Sequence, residues 1–291
     1  MTAQELYVVI LKKLKSAAIE SAELEANWVL EHFCELTFVQ RINAASKSID
    51  NIAIEKAISA TSRRCTGEPL AYILGYREFF GLKFKVNEDT LIPRPETEQL
   101  VEWGLDWLKD NSMKNQDLRA VDLGTGSGCI AVSLAKMTRD LSPKLKISAI
   151  EKSRAAAEIA KENALAHEVT DRLAVICVDA IEYLNSVSDE ALDLILANPP
   201  YIDPTDEAIE PNVKKYEPHA ALFSSGGTDT IRDWLNAAAP KLKKHAALGF
   251  EIGSGQGDEV IKLVRDLGVF SKQYIVKDLS GHDRFVCAER F

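Results

Sequence analysis

The tetrapeptide Asn198-Pro199-Pro200-Tyr201 closes the apolar run 192–197. Two prolines in succession cannot extend a strand ladder, so a strand must stop at Asn198. In an open α/β sheet, ligands bind beyond the carboxyl ends of the strands. The Asn198 side-chain amide and the Pro199 carbonyl would then face a crevice without ladder partners. Two such acceptors suit a planar NH2 group, whose nitrogen lone pair is delocalised. Accepting from both N–H bonds, with Tyr201 packed alongside, would steer that pair toward an electrophile. The chemistry predicted is alkylation of an amide or an aromatic amine. A bare strand end followed by a proline turn explains any single Asn-Pro pair more simply, so a second set of residues has to support it.

That set lies upstream. Residues 119–123 read as a short buried strand, followed by Gly124-Thr125-Gly126-Ser127-Gly128 and a helical stretch over 129–137. Alternate glycines let a backbone turn tightly and approach a ligand, and the helix start offers unpaired N–H groups. One register, Gly126-x-Gly128-x-x-Ala131, also fits the dinucleotide fingerprint, which keeps a nicotinamide dehydrogenase open as a rival. A second strand over 146–150 is closed by Glu151, whose carboxylate can accept both hydroxyls of a ribose. The third, over 173–178, ends in Asp179, an acceptor within reach of an adenine amino group. Singly, each acid reads as a solvated loop carboxylate; together, beside a glycine loop, they describe an adenosine pocket. A dehydrogenase has no need of the Asn-Pro-Pro-Tyr strand end, whereas S-adenosylmethionine and an acceptor for a planar NH2 make one consistent site.

Several further segments carry a resemblance: Arg63-Arg64 with Gly67-Glu68-Pro69-Leu70, Glu78-Phe79-Phe80-Gly81-Leu82, and Leu91-Ile92-Pro93-Arg94-Pro95-Glu96-Thr97-Glu98. To these add Asp122 through Gly128, Asn198 through Ile202, Glu217-Pro218 with Ala221-Leu222, Glu251-Ile252-Gly253 with Gln256, and Asp283-Arg284. Over nearly its whole length the chain resembles the peptide chain release factor N5-glutamine methyltransferase family (HemK/PrmC type). Asn-Pro-Pro-Tyr alone is shared with DNA adenine methyltransferases; the Ile-Pro-Arg-Pro-Glu-Thr-Glu run joined to it is specific to this family. The resemblance implies a seven-stranded, Rossmann-like α/β fold of class I S-adenosylmethionine-dependent methyltransferases, with the last strand antiparallel. It further implies methylation of the glutamine side-chain amide in the Gly-Gly-Gln loop of class 1 release factors, with S-adenosyl-L-homocysteine as by-product.

By similarity, Asn198, Pro199 and Tyr201 would be catalytic, with Pro200 completing the substrate contact. The methionine part of the cofactor would lie on Gly124, Thr125, Gly126, Ser127 and Gly128, with Glu151 on the ribose and Asp179 and Ala180 near the adenine, and Asn198 would also contact the cofactor. Glu151 stands where the family often has Asp, and Ala180 where some relatives carry a large aromatic. The segment Gly226-Gly227-Thr228-Asp229-Thr230 lacks a glycine that the family usually has after its Asp. Transfer is expected to be direct and in line, with positioning as most of the catalysis. The nitrogen becomes acidic as it acquires the methyl group, so water or the Asn198 carbonyl can take the proton late, and no carboxylate is assigned as a base.

Composition limits the alternatives. The chain has 291 residues, 46% hydrophobic, and a net charge of −9. That length exceeds a typical domain of about 100–150 residues. A duplex DNA modifier needs a basic surface, and none is apparent; Lys241-Leu242-Lys243-Lys244 reads as a solvated helix end. The remaining alternatives are an adenine N6 methyltransferase on nucleic acid and a non-catalytic module that binds release factors or adenosine ligands. No run approaches the roughly 20 apolar residues of a membrane helix, and no leader is evident, so a cytoplasmic protein is expected. Cys34, Cys65, Cys129, Cys177 and Cys287 show no C-x-x-C pair and read as reduced filler; the histidines lack metal spacing, and no metal is expected.

The elements that must hold these residues begin with a helical segment. Leu6, Val9, Ile10 and Leu14 repeat at helical spacing, as do Ala22, Ala26, Val29, Leu30 and Phe33 after a cap at Ser21. A third helix over 51–65 stops at Gly67 and Pro69, completing a small bundle over 1–75 that would dock the protein substrate. Phe80, Leu82, Phe84 and Val86 alternate within 78–86, so a β-hairpin and linker are expected over 76–98, followed by the methyltransferase domain over 99–291. Pro93 and Pro95 introduce a helix running to Leu108; Arg94 either approaches the cofactor carboxylate or ties the domains together. Residues 274–276 and 284–288 read as a closing hairpin. The stretch 202–225 has no strong period and would wall the substrate cleft, with Glu217-Pro218 shaping the peptide path.

Overall fold

Leu192–Ala197 is buried at every position, as expected of a strand covered by helices on both faces. The computed structural model describes residues 1–291 except 44, 47 and 113–116. Its strands are β1 (Tyr76–Phe79), β2 (Leu82–Lys85), β3 (Arg119–Leu123), β4 (Lys146–Glu151), β5 (Leu173–Cys177), β6 (Leu192–Ala197), β7 (Leu242–Glu251), β8 (Phe270–Lys277) and β9 (Asp283–Arg290). The last seven form one sheet in the order β5-β4-β3-β6-β7-β9-β8. β3 to β7 pair in parallel, and β9 runs antiparallel between β7 and β8. A dinucleotide-binding sheet has no such inserted strand. The expected class I methyltransferase topology is therefore present, including the antiparallel last strand.

Strand order reverses between β3 and β6, which pair with Leu123 opposite Ala197. This is the topological switch point, where an open α/β sheet binds its ligand. Alternate residues feed opposite cores. Ala120, Leu194 and Leu196 join Leu100, Leu134 and Phe285 on one face, while Val121, Leu123 and Ile195 join Leu235, Phe250 and Val260 on the other.

The chain divides into two compact units, one comprising Met1–Tyr76 with Pro211–Tyr216, the other Arg77–Glu210 with Glu217–Phe291. In the first, helices Ala3–Ser16, Ala22–Cys34 and Asn51–Cys65 bury Leu6, Ile10, Leu14, Val29, Leu30 and Ile54 together. Val9 and Phe33 are only half-buried. Thr2 and Glu5 form a reciprocal capping box. Ser21, expected to cap by its side chain, instead donates its hydroxyl to Glu25 Oε1 at 3.0 Å. Glu25 also receives Arg64 Nε at 2.7 Å, a buried pair between two helices. Short helices Phe38–Asn43 and Leu70–Leu74 add to the three that periodicity reveals, the second restarting directly after Pro69. Helix Pro211–Tyr216 belongs to this unit too. Its Tyr216 hydroxyl donates to the Thr66 carbonyl at 3.3 Å.

In the second unit the hairpin forms as expected, but its register differs. Phe80 and Gly81, both at positive φ, make a two-residue turn, so 78–86 is two strands rather than one. The buried side chains are Phe79, Phe84 and Val86. Lys241 ends the 3₁₀ turn Ala239–Lys241 that follows helix Asp229–Ala238, as a helix end should, whereas Leu242-Lys243-Lys244 opens β7, and Lys243 pairs at 2.7 Å with Asp193, which is largely buried. The helix begun at Glu98 continues to Ser112.

Asn163, buried in helix Arg154–Ala166, binds β2 to the glycine loop. Its Oδ1 accepts from Lys85 N at 2.8 Å, and its Nδ2 donates to Lys85 O at 3.0 Å and Ser127 O at 2.8 Å. Asn163→Leu keeps the bulk but strands these backbone groups. We expect a loss of at least about 1–3 kcal/mol, the cost of one buried unpaired polar group, measured by chemical denaturation. A loss below about 0.5 kcal/mol would show that the hairpin does not depend on Asn163.

Candidate active site

The glycine loop is built on a buried acid. Asp122 Oδ2 accepts from the Thr125 hydroxyl at 2.5 Å and from Ala131 N–H at 3.2 Å, closing the turn onto helix Cys129–Met137. Thr125 N donates to Ile150 O at 2.9 Å, and Gly128 N to Thr125 O at 2.8 Å, which lashes the loop to β4. Gly124 has φ +68, and a Cβ there would come within 2.8 Å of Trp234 Cη2, so only glycine fits. Gly126 has φ +56, but a Cβ there would meet nothing within 4 Å: the backbone borders open space.

That space is a cavity of about 360 Å³. Gly124, Gly126, Glu151, Asp179, Ala180, Asn198 and Pro200, all read from the sequence as site residues, line it. Thr125, Ser127 and Gly128 are absent from the lining; Thr125 and Gly128 close the turn of the loop, and the Ser127 carbonyl accepts from Asn163 Nδ2. Pro199, which is buried, and Tyr201 also lie outside the lining. Sequence reasoning missed Trp234, Asp233 and Phe223, which complete the wall with Pro218, Ala220 and Ala221. Charged side chains on the wall are mainly acidic: Glu88, Asp89, Glu151, Asp179 and Asp233 against Lys152.

Glu151 ends β4 with Oε2 accepting from Gly126 N–H at 3.0 Å and Oε1 from Ser153 N–H at 2.8 Å. Asp179 caps helix Ala180–Ser186, its Oδ1 accepting from Ile181 N at 2.8 Å. Arg94 is held by Glu217, Nη2 to Oε1 at 2.6 Å, while Glu217 Oε2 accepts from Ile92 N–H at 3.2 Å. Glu217 thus fastens the segment before helix Glu98–Ser112. Within 202–225, read as a period-free wall, the chain forms helices Pro211–Tyr216 and His219–Leu222, and its second half does line the cavity.

Beyond β6, the Asn198 Nδ2 donates to Thr97 Oγ1 at 3.2 Å, and Thr97 donates to Glu251 Oε2 at 2.6 Å. Tyr201 donates its hydroxyl to Glu251 Oε1 at 3.2 Å. Gln256 Nε2 donates to the Tyr201 carbonyl at 2.8 Å. Thr97 and Glu251 are 2% and 1% exposed.

Family models match both parts of the chain: one described as Methyltransferase small domain over residues 101–228, and one described as PrmC N-terminal domain over residues 5–75. A release factor glutamine methyltransferase of Flavobacterium psychrophilum (strain ATCC 49511 / DSM 21280 / CIP 103535 / JIP02/86) is 37% identical, covering 89% of this chain and 88% of that one. Another, from Moorella thermoacetica (strain ATCC 39073 / JCM 9320), is 33% identical over 100% of this chain and 99% of its own. The chain belongs to the release factor glutamine methyltransferase family. The fold is shared more widely: the solved hMettl16 catalytic domain, in complex with MAT2A 3′UTR hairpin 1, aligns with a TM-score of 0.53 at 18% identity. That alignment covers 82% of this chain and 80% of that one.

In this family member, Cys129 opens the helix beside the glycine loop, where a thiolate would be favoured by the helix start. Burial overrides that and pushes the thiol up to about 12, with the Asp122 charge adding to the effect. Burial likewise pushes the Asp122 carboxyl up to about 7 against the pull of Thr125 and Ala131, and the Glu251 carboxyl up to about 7 against Thr97, Tyr201 and Arg284. Both carboxyls hold protons more tightly folded than unfolded. Between about pH 4.5 and 7 the native state therefore binds more protons, and stability falls as pH rises. The denaturation midpoint should climb as pH is lowered from about 7.5 to 5, and Asp122→Asn should flatten that climb. A midpoint that declines with acidification across this window would contradict the assignment.

Proposed function

We propose that this chain transfers a methyl group from S-adenosyl-L-methionine to the side-chain amide nitrogen of the glutamine in the Gly-Gly-Gln loop of class 1 release factors. The observation that carries the reading is the joint lining of one cavity by Asn198, at the end of β6, and the glycine loop, at the end of β3. Acceptor and alkyl donor would thereby meet at one switch point. The relatives' shared name supplies the substrate class.

The residues present suit the cofactor. Gly126 leaves open space that any Cβ would enter, Glu151 offers a carboxylate to ribose hydroxyls, and the acidic wall complements a cation. Ala180, with Ile150 and Ile181 beside it on the wall, gives a small apolar surface in place of a stacking ring. When bound, S-adenosylmethionine supplies an electrophilic sulfonium methyl group. The chain's own part is to hold the nucleophile. Asn198 Oδ1 and the Pro199 carbonyl would accept the two N–H bonds of the glutamine amide, with Pro200 and Tyr201 shaping the approach. Holding both N–H bonds fixes the orientation of the NH2 group and so the direction of its lone pair toward the methyl group. Glu251 touches Thr97 and Tyr201 rather than lying free in the cavity, so the late deprotonation is left to water or the Asn198 carbonyl.

The first unit, none of whose described residues lines the cavity shared by Gly126 and Asn198, is proposed as the docking surface for the release factor. No helix among the described residues is long and apolar enough to cross a membrane. We place the reaction in the cytoplasm, on a protein rather than on DNA, for which a net charge of −9 is a poor match.

Asn198→Ala should lower methyl incorporation into purified release factor on the order of 10²–10³-fold, with S-adenosylmethionine still bound. Near-wild-type turnover, or faster labelling of DNA than of release factor, would overturn the reading. Glu151→Ala should weaken cofactor binding by about 1.5–3 kcal/mol, the range for hydrogen bonds to a charged group. Calorimetric titration giving an unchanged affinity would remove Glu151 from the cofactor site.

A further inference from the structure

We propose that Thr97 and Glu251 form a one-way hydrogen-bond relay that fixes which end of the Asn198 amide faces the substrate. The inference rests on the assignment of Asn198 as substrate acceptor. An acceptor role requires the amide to present Oδ1; a 180° flip presents two N–H donors to a substrate that also offers N–H donors. The two orientations have the same shape, so packing cannot choose between them. Only a neighbour with a fixed donor or acceptor character can.

Thr97 is such a neighbour because it has one proton and that proton is committed. Its Oγ1 lies 2.6 Å from Glu251 Oε2, the short separation of a charge-assisted bond. The other oxygen, Oε1, receives the Tyr201 hydroxyl at 3.2 Å. A carboxylate accepting from two hydroxyls has no donor of its own. Thr97 must therefore donate toward Glu251 and can only accept on its other side. Asn198 stands there at 3.2 Å and has to offer Nδ2. The opposite end of its planar amide is then Oδ1, an acceptor. Glu251 never meets the substrate in this scheme; it and Thr97 are positioning residues. Among the charged groups around it, Arg284 favours the anion and Glu96 opposes it.

The relay also gives three distant segments a shared purpose. Thr97 ends the 3₁₀ turn Pro95–Thr97, Glu251 ends β7, and Asn198 follows β6. Thr97 and Glu251 are fully enclosed, which removes water as a competing partner and strengthens the directionality.

The test is a mutant cycle assayed at about pH 8.5, above the pKa range to which burial raises Glu251. Thr97→Val keeps the shape and removes the hydroxyl. Its kcat should fall by about 10–10²-fold, the scale of a misoriented contact. Cofactor affinity and KM for release factor should change little, whereas the thermal midpoint should fall, because the enclosed Glu251 loses one of its two hydroxyl partners. Thr97→Ser should restore most of the rate. Added to Asn198→Ala, Thr97→Val should cost nothing further, since its effect runs through that amide. The relay is overturned if Thr97→Val keeps kcat within about threefold, if Thr97→Ser is as slow as Thr97→Val, or if the two losses add. Failure of Asn198→Ala to slow the reaction would instead remove the assignment of Asn198 on which the relay stands.

Discussion

The parallel pairing of β3 with β6 is the constraint from which the rest of the site follows. With Leu123 opposite Ala197, the residues that follow each strand leave the sheet at one edge, Gly124 from one and Asn198 from the other. Neither segment makes a pocket alone. The glycine loop needs a facing wall, and the Asn-Pro-Pro-Tyr turn needs something to present its acceptor to. Because β4 pairs on the far side of β3 and β7 on the far side of β6, Glu151 and Glu251 end at the same edge, in opposite surroundings. Glu151 is half exposed on the cavity; Glu251 is enclosed.

Two enclosed acids therefore organise the two halves. Asp122 shapes the glycine loop through a hydroxyl and an N–H, and Glu251 gathers two hydroxyls behind Asn198. Burying a carboxylate is costly unless it is well bonded, and the rise of both pKa values records that cost. Asp122 Oδ1 is buried without a partner among the described residues, so the loop is not at its stability optimum. Such a local expense is expected where a fixed geometry matters more than stability.

Strands β3 and β6 were legible to the residue because a doubly covered strand is a short, nearly continuous apolar run with a hard stop after it. Helix Cys129–Met137 was legible for the same reason, its start being fixed by the glycines. The hairpin was legible as a hairpin, but Phe80 was misassigned to a strand. A phenylalanine in a positive-φ turn contradicts its own propensity, and nothing local announces it. Lys241 was legible as a helix end, but Lys243 and Lys244 misled because a charged strand start directly after it looks like more of the same end. For the site, the lining residues of the glycine loop and the strand ends, Gly124, Gly126, Glu151, Asp179 and Asn198, carried a signal in their spacing. Trp234, Thr97 and Glu251 did not, since their roles arise from contacts across long sequence separations. Thr97 and Glu251 do lie inside segments that carried the family resemblance, Ile92 through Glu98 and Glu251 through Gly253, which was the available hint.

Helix Pro211–Tyr216 belongs with the N-terminal helices, although its chain neighbours on both sides belong to the sheet-containing unit. A Cβ on Gly67 would run into Asn212, so the fit is close. Domains made on the ribosome tend to fold from the N-terminus onward. Here the first unit lacks one of its own pieces when Tyr76 has been synthesised, and acquires it only after β3, β4, β5 and β6 have been made. The order of synthesis and the order of completion therefore cross: the unit begun first is finished after the core strands of the second. A cut made at the apparent boundary near residue 76 would leave one fragment short of a helix and the other carrying a helix with nowhere to pack.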